Sequence, residues 1–174
     1  MAKTVICRDM DGNQHEVPVS ELTWRPAAYG IVIKDKKALL LKQYNGYDLP
    51  GGGIDLGETP VEAVIREVKE ESGLTVAKPI LVDVQSSFFK RSYAEGNCVE
   101  SISIYYACEY VSGDINNSGH DEHEQQYAEG CVWVSVDELD DITVAASTDW
   151  RELIKKVVKA GRGGTIAARQ KDRK

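Results

Sequence analysis

Residues 52–74, with the sequence GGIDLGETPVEAVIREVKEESGL, constrain the fold of this chain more than any other stretch. Thr59 stands at the N-cap of a predicted helix over 60–72, Pro60 takes the first helical position, and a glutamate follows three residues after the cap. This is the pattern of a capping box with proline at the first helical position. Gly73 occupies the place where helices commonly end in left-handed backbone. The sequence therefore predicts one short, well-bounded helix directly after a glycine-rich loop.

The predicted helix carries two different faces. Its apolar residues at helical spacing form a stripe for the core, namely Val61, Val64, Ile65 and Val68. Glu67, Glu70 and Glu71 share a second face near the helix end, where the helix dipole disfavours carboxylates. A divalent cation with oxygen ligands would reverse that cost, whereas a solvated acidic helix end needs no ligand; the helix alone leaves both interpretations open. The glycines at 51–53 let backbone approach a ligand closely and favour a site for phosphate and metal.

The same stretch resembles the Nudix box, G-x5-E-x7-R-E-U-x-E-E-x-G-U, where U is a large aliphatic residue. Every fixed position matches, in the order Gly52, Glu58, Arg66-Glu67-Val68, Glu70-Glu71 and Gly73-Leu74. The resemblance implies a Nudix-type α/β/α sandwich, a fold of the α/β (α+β) class with a mixed β-sheet and a loop–helix–loop motif. We expect a Nudix domain over 25–160, an N-terminal hairpin extension over 1–24, and a polar, basic and flexible tail over 161–174.

Carboxylates supply the expected chemistry. Mg²⁺ would offset the charge of a diphosphate and activate water, and Mn²⁺ is an expected substitute. The expected metal ligands are Glu67, Glu70 and Glu71, with a backbone carbonyl from Gly51 or Gly52. We expect the catalytic residues to be Glu67, Glu70 and Arg66. By resemblance, Arg66 orients its neighbouring glutamates and Glu58 supports it as an ion-pair partner. The general base stays open between a glutamate of the box and an acidic residue further along the chain.

Further candidates lie outside the box. The long polar stretch 111–130 offers an additional metal ligand or base from Glu122, Glu124 and Glu129. For each of these residues alone a solvated loop is the favoured interpretation, and for the set a contribution to the site is favoured. Candidate substrate contacts are Arg25, Tyr44, Tyr47 and Tyr93. An exposed structural arginine and tyrosines that pack in the core or at the rim are the alternatives.

The rest of the chain predicts a single mixed domain. We expect an N-terminal hairpin from strands near 4–7 and 16–19, and a glycine loop over 44–57. The other predicted strands are 27–33, 38–43, 79–90, 99–110 and 131–136, followed by a short helix over 137–141 and a closing amphipathic helix over 148–160. Such an order places a mixed sheet between helices.

Composition narrows the setting. The chain has 174 residues and a formal net charge of −7, which argues against a stable nucleic-acid partner. Its apolar runs are too short to span a membrane, and its start does not have the pattern of a signal peptide. The cysteines form no C-x-x-C pair, so free buried thiols in a reducing cytoplasm are expected at Cys7, Cys98, Cys108 and Cys131. We therefore expect a cytoplasmic protein.

The resemblance implies a Mg²⁺-dependent enzyme that hydrolyses a diphosphate linkage in a nucleoside diphosphate joined to another group. A nucleoside triphosphate, canonical or oxidised, is the first expectation, with a monophosphate and pyrophosphate as products. ADP-ribose, nucleotide sugars and dinucleoside polyphosphates are alternative substrates. A non-catalytic nucleotide-binding regulatory module is the alternative from another class, and the intact set of box residues argues against it. Family members are often dimers, so a homodimer is also expected.

Overall fold

We describe the protein from a computed structural model, which defines residues 3–9, 12–90, 98–116 and 128–161. The elements in chain order are β1 (Thr4–Arg8), β2 (Gln14–Pro18), β3 (Thr23–Lys34), β4 (Lys37–Gln43), β5 (Gly46–Asp48), β6 (Gly51–Gly53), α1 (Pro60–Ser72), β7 (Thr75–Lys90), β8 (Cys98–Ser112), β9 (Ala128–Ser135) and α2 (Arg151–Lys159). Short 3₁₀ helices occupy Val19–Glu21 and Val136–Asp141.

The long strand β3 connects all parts of the sheet. The strand order is β2-β1-β7-β8-β3-β4-β5, with β6 paired to β3 and β9 paired to β4. β3 runs parallel to β8 and antiparallel to β6, so that Ala27 lies opposite Gly53 and Tyr29 lies opposite Gly51. At its end β3 turns into β4. The glycine strand β6 is thus held against the middle of the longest parallel pair.

Alternation along β3 divides the core between two helices. Ala28 and Val32 pack into the cluster that contains the apolar face of α1. Ile31 and Ile33 pack into a second cluster with the apolar face of α2 and the buried Trp150. Successive side chains of a strand point to opposite faces, so one strand serves both clusters. The two helices cover opposite faces of a mixed sheet, which confirms the predicted α/β/α arrangement.

Helix α1 has the predicted bounds and caps. The Glu62 amide donates to Thr59 Oγ1 at 3.3 Å, and the Thr59 amide donates to Glu62 Oε2 at 2.9 Å. Gly73 ends the helix with a φ of 74°, and its amide donates to the Lys69 carbonyl at 2.9 Å. Local sequence signals alone therefore determine both ends of this helix.

In contrast to α1, several other elements have bounds that differ from the predicted ones. The segment 44–57, which we predicted to be a loop, contains β5 and β6. β7 begins at Thr75 rather than at 79, because a register shift between Ala77 and Ile80 lets Pro79 lie within the strand. β9 covers Ala128–Ser135 instead of 131–136, and the 3₁₀ helix extends the short helix to Val136. The closing helix begins at Arg151 rather than at 148, because the preceding segment packs against the sheet; the Thr148 hydroxyl lies 2.6 Å from Tyr105 Oη.

The N-terminal hairpin is confirmed and extends the sheet. β1 and β2 pair antiparallel from Thr4 opposite Pro18 to Arg8 opposite Gln14. β1 then lies parallel to the end of β7, where Arg8 pairs with Phe89. The hairpin therefore continues the sheet beyond β7, at the edge next to the cleft described below.

The cysteines, the helix lengths and the chain ends relate to the remaining expectations. All four cysteines are buried thiols outside any disulfide, as predicted. No helix in the defined ranges is both long enough and apolar enough to cross a membrane. The predicted tail from residue 162 onward lies outside the described residues, and the division into 1–24, 25–160 and 161–174 stays a prediction.

Candidate active site

A cleft of about 1220 Å³ lies between α1, the glycine strand β6 and the sheet. The glutamates of α1 line one end of the cleft. Side chains of β3 and β8 line its floor, and the segment 143–148 lines the side opposite α1. The ends of β1 and β7 close the other end. The cleft thus brings together residues from the N-terminal hairpin, the box and the C-terminal third of the chain.

Arg66 is the centre of a hydrogen-bond network in the acidic end. Its Nε and Nη2 donate to the two oxygens of Glu58, each at 2.8 Å. Its Nη1 donates to Glu67 Oε1 at 2.9 Å and to Glu70 Oε2 at 3.0 Å. Nη2 also donates to the Gly53 carbonyl at 3.0 Å. These contacts match the five N–H donors of a guanidinium, so Arg66 ties the loop, the helix and β6 together.

Charge assistance strengthens this network. Hydrogen bonds from Arg66 are the main cause that lowers the pKa of Glu58 below its ordinary value. In return, the hydrogen bonds to Glu58 and the charge of Glu67 raise the pKa of Arg66 further above its ordinary value. Arg66 and Glu58 therefore stay ionised at neutral pH.

Two glutamates of the box are buried against the glycine strand. Glu71 is 2% exposed, and its Oε2 accepts a hydrogen bond of 2.8 Å from the Gly51 amide. Glu67 is 7% exposed and lies against Gly52, where a β-carbon would come within 2.5 Å of Glu67 Oε1. A side chain at position 52 would therefore displace the Glu67 carboxylate. Glycine at position 52 thus leaves room for the observed position of the Glu67 carboxylate.

The carboxylate and carbonyl oxygens at the acidic end of the cleft are suitable ligands for a divalent cation, although the side chains do not converge on one position. Carboxylates and backbone carbonyls are the ligands that Mg²⁺ prefers. In the part of the chain that the structure defines, no three His, Cys, Asp or Glu side chains converge on a common metal position. The reason is visible in the contacts: Glu67 and Glu70 are held by Arg66, and Glu71 is held by Gly51. Glu70 is half exposed and is the ligand candidate that can change its rotamer most easily.

The floor of the cleft is aromatic and hydroxyl-rich. The rings of Tyr29 and Tyr105 stack with their centroids 5.6 Å apart. Burial raises the pKa of Tyr105 to about 12, so its hydroxyl stays protonated. Ser103 lies two residues before Tyr105 on β8 and also lines the cleft, as does Thr148. This region presents neutral hydroxyl groups beside the charged end.

Asp48 is the unexpected acid of the site. It lies at the end of β5, and its Oδ1 accepts a hydrogen bond of 2.6 Å from the Leu49 amide. Asp48 is half-buried and lines the cleft. The surrounding protein shields its carboxyl from water, and this loss of solvation raises the pKa of Asp48 to about 7. The Leu49 amide, the Trp150 indole and Arg25 act in the opposite direction. Asp48 therefore changes its protonation state near neutral pH.

The structure brings only some of the predicted candidates to the cleft. Arg25 lines it, together with the box residues. Tyr44 is 57% exposed outside the cleft, and Tyr47 packs against the core cluster beneath α2. Glu129 also lies away from it and pairs with Lys42, with 2.5 Å between Glu129 Oε2 and Lys42 Nζ. The remaining candidates lie outside the described residues, namely Tyr93, Glu122 and Glu124.

Sequence reasoning missed several cleft residues because each belongs to no motif. They are Arg8, Asp48, Lys90, Ser103, Tyr105 and Thr148. The alternation along β8 places Ser101, Ser103 and Tyr105 on one face, which is the one signal that was available for the floor. Nothing local connects Arg8 with the site, since its position depends on pairing with a strand some eighty residues later.

Comparisons with known proteins agree with this architecture. The family model described as NUDIX domain matches residues 23–157. The chain is 36% identical over 106 residues to ADP-ribose pyrophosphatase of Methanocaldococcus jannaschii, covering 58% of this chain and 59% of the relative. It is 36% identical over 96 residues to nucleoside triphosphatase NudI of Salmonella agona, covering 52% and 62%. The chain thus spans about three-fifths of the length of these two relatives.

A short and more similar match falls around the box. The chain is 55% identical over 31 residues to 8-oxo-dGTP diphosphatase of Escherichia coli, which covers 18% of this chain and 24% of the relative. Among solved structures, a UDP-X diphosphatase aligns with a TM-score of 0.59 at 20% identity, covering 81% of this chain and 66% of that protein. A NUDIX hydrolase from Nitrosomonas europaea aligns with a TM-score of 0.57 at 18% identity, covering 84% and 95%. At such identities these two structures support the fold alone.

Proposed function

Because this chain belongs to the NUDIX family, we propose that it hydrolyses a diphosphate linkage in a nucleoside diphosphate joined to another group, with the help of a divalent cation. The observation that carries the proposal is the network around Arg66. It holds Glu67 and Glu70 at the mouth of a cleft large enough for a nucleotide, directly beside the glycine strand. A binding module would not need three carboxylates at the point where a phosphate must enter.

We assign the cleft residues different roles in the reaction. Glu67, Glu70 and Glu71 would hold Mg²⁺, with Mn²⁺ as a substitute, and carbonyls of Gly51 or Gly52 would complete the ligand set. When bound, the cation would offset phosphate charge and make water more acidic. One of the box glutamates takes the proton from the attacking water. Arg66 acts as a positioning residue, because it fixes Glu67 and Glu70 and is itself fixed by Glu58.

A nucleoside triphosphate is the proposed substrate class. Attack by water on a phosphorus of the triphosphate would give a nucleoside monophosphate and pyrophosphate. Relatives named 8-oxo-dGTP diphosphatase and nucleoside triphosphatase support this choice. A relative named ADP-ribose pyrophosphatase keeps ADP-ribose, and with it nucleotide sugars and dinucleoside polyphosphates, as alternatives.

The decisive experiment is a substrate panel with a matched variant. Release of phosphate and pyrophosphate is measured with Mg²⁺, with Mn²⁺ and with EDTA, on nucleoside triphosphates, 8-oxo-dGTP, ADP-ribose, nucleotide sugars and dinucleoside polyphosphates. Turnover of one class is expected to disappear with EDTA and to fall at least a hundredfold in Glu70→Gln. Glu152→Gln, which changes an exposed glutamate of α2, is the control and should retain full activity. Nucleotide binding without any turnover would contradict the proposal and support a regulatory binding module.

We further propose that the protein acts in the cytoplasm on small nucleotides, as a homodimer and without a stable nucleic-acid partner. The four buried thiols, which form no disulfide, support a reducing compartment, and the net charge of −7 disfavours contact with a polyanion. Light scattering would establish the oligomeric state. A shift assay with RNA and duplex DNA at physiological salt is expected to show no complex.

A further inference from the structure

The end of the cleft far from the glutamates is basic. Arg8, Arg25 and Lys90 line it, together with Phe89. The guanidinium carbon of Arg25 lies 5.8 Å from the centroid of that ring. Arg8 is the strand partner of Phe89, and Lys90 is the next residue along the chain. Three cationic residues therefore line one end of the cleft in a protein whose net charge is −7.

Strand pairing places both arginines on the same face of the sheet. Arg8 pairs with Phe89, and Phe89 pairs in turn with Val99 of β8. Two residues further along β8, Ser101 pairs with Arg25. Paired residues project to the same side of a sheet, and residues two apart on a strand share a face. The two guanidinium groups thus reach the cleft from the two sides of Phe89.

Acidic groups nearby leave Arg8 and Lys90 available. In the ranges that the structure defines, no ion pair joins Arg8 or Lys90 to a carboxylate. Asp9 lies on the same wall, but its carboxylate accepts from the Asn13 amide at 2.8 Å and contacts His15 Nε2, also at 2.8 Å. Arg8 and Lys90 therefore contribute a positive potential to the wall of the cleft, and such a potential attracts anions.

The spacing between the two ends of the cleft can be counted along β3. Ala28 pairs with Gly52, which contacts Glu67, and Arg25 lies three residues before Ala28 on the same strand. At a rise of about 3.3 Å per residue, the backbone at Arg25 is roughly 10 Å from Ala28, the strand partner of Gly52. The hydroxyl-rich floor lies next to this span. Roughly 10 Å is the length of a nucleoside or of a short polyphosphate chain.

We propose that Arg8, Arg25 and Lys90 bind a phosphate of the substrate that lies outside the linkage being cleaved. This inference rests on the proposed function, and it makes the N-terminal hairpin part of the substrate site. The bound group is either the terminal phosphate of a polyphosphate chain or a phosphate on a ribose. In both cases the site favours substrates with an additional phosphate over nucleotide sugars and ADP-ribose, whose far ends are uncharged.

Binding without metal tests the basic end by itself. In EDTA the glutamates repel a polyphosphate, so binding of inorganic tripolyphosphate reports the cations alone. Calorimetry should show binding to the unaltered protein and an affinity about tenfold lower in Arg8→Gln and in Lys90→Gln. Lys3→Gln is the matched control, since it removes a positive charge from an exposed residue of the same hairpin that lies away from the cleft, and its affinity should not change. Equal affinity in all four proteins, or no binding, would overturn the proposal.

Kinetics with Mg²⁺ then identify the source of the phosphate. One pair of substrates compares a nucleoside triphosphate with a nucleotide sugar, and a second pair compares NADPH with NADH. Arg8→Gln should raise KM about tenfold for the member with the additional phosphate, with a smaller effect on kcat. The pair that responds shows whether the terminal or the ribose phosphate is bound. An equal change for all four compounds, or no change, would contradict the inference. Loss of turnover with intact tripolyphosphate binding would instead refute the proposed hydrolase function and leave the anion site standing.

Discussion

Arg66 holds Glu58 with two parallel hydrogen bonds, from Nε to Oε1 and from Nη2 to Oε2, each 2.8 Å long. Glu58 belongs to the loop before α1, whereas Arg66 lies in the middle of the helix. The pair therefore fixes the rotation of the guanidinium, and Nη1 is left pointing at Glu67 and Glu70. Glu58 does not line the cleft, and through Arg66 it nevertheless helps to position Glu67 and Glu70, which do.

Replacing Glu58 by glutamine should reduce activity without unfolding the protein. Glutamine keeps one acceptor oxygen but loses the charge and the two-oxygen fork that match a guanidinium. We expect kcat to fall about tenfold with little change in KM, because the affected groups act on the reaction rather than on nucleotide binding. Glu152→Gln provides the comparison on an exposed surface. An unchanged kcat in Glu58→Gln would show that Arg66 is positioned by other contacts.

Adjacent glycines of β6 should respond in opposite ways to the same substitution. In Gly52→Ala the new methyl group would lie 2.5 Å from Glu67 Oε1 and push the carboxylate out of place. In Gly53→Ala the methyl group would meet no atom within 4 Å. We expect Gly52→Ala to lose at least tenfold in kcat/KM and Gly53→Ala to keep it, as measured on the substrate found in the panel. Similar activities in the two variants would mean that Glu67 does not need its observed position.

The cap of α1 should contribute measurably to stability. Thr59→Ala removes the hydroxyl that accepts the Glu62 amide, which typically costs about 1 kcal/mol. For a chain of this size, that loss corresponds to a decrease in Tm of about 2–4 °C. Thr59→Ser keeps the hydroxyl and should keep the Tm within about 1 °C of the unaltered value. Differential scanning calorimetry compares the three proteins, and equal decreases in both variants would argue against the capping role.

Asp48 should make stability depend on pH in an unusual direction. Its folded pKa of about 7 is higher than its ordinary value of 3.8, so between these values the folded protein holds a proton that the unfolded chain has released. The contribution of this group to stability is therefore fully present below pH 4 and is lost as the pH rises through 7. Asp48→Asn does not titrate. The Tm of Asp48→Asn relative to the unaltered protein should thus increase by a few degrees between pH 4.5 and pH 8. A constant difference across this range would contradict the raised pKa.

Local signals predicted the helix that carries the box, whereas long-range pairing determined the rest of the site. Thr59, Pro60 and Gly73 act through their own backbone, so the bounds of α1 follow from a few neighbouring residues. Gly51–Gly53 has almost no intrinsic preference for a strand and becomes one because β3 supplies the hydrogen-bonding partners. This tertiary effect explains why the segment 44–57 was predicted to be a loop.

The basic end shows the same limit more strongly. Arg8 reaches the cleft only because β1 pairs with the end of β7, a contact that no local pattern announces. The resemblance to the Nudix box predicted each residue of the acidic end, because those residues lie close together in the sequence. The residues of the basic end, Arg8, Arg25 and Lys90, come from three separate strands, and their assembly depends on the fold.

Strand β3 fixes the distance between Arg25 and the glycine strand, and with it the length of a molecule that could contact both. Gly52 pairs with Ala28 of β3, and Arg25 lies three residues before Ala28 on the same strand. Adding one residue between these positions would turn Arg25 to the opposite face of the sheet, so a working site can be lengthened only by two residues at a time. Each such step adds about 6.6 Å, close to the size of one sugar ring or two phosphates. The length of a substrate that contacts both Arg25 and the glutamates would therefore change in discrete steps and not gradually.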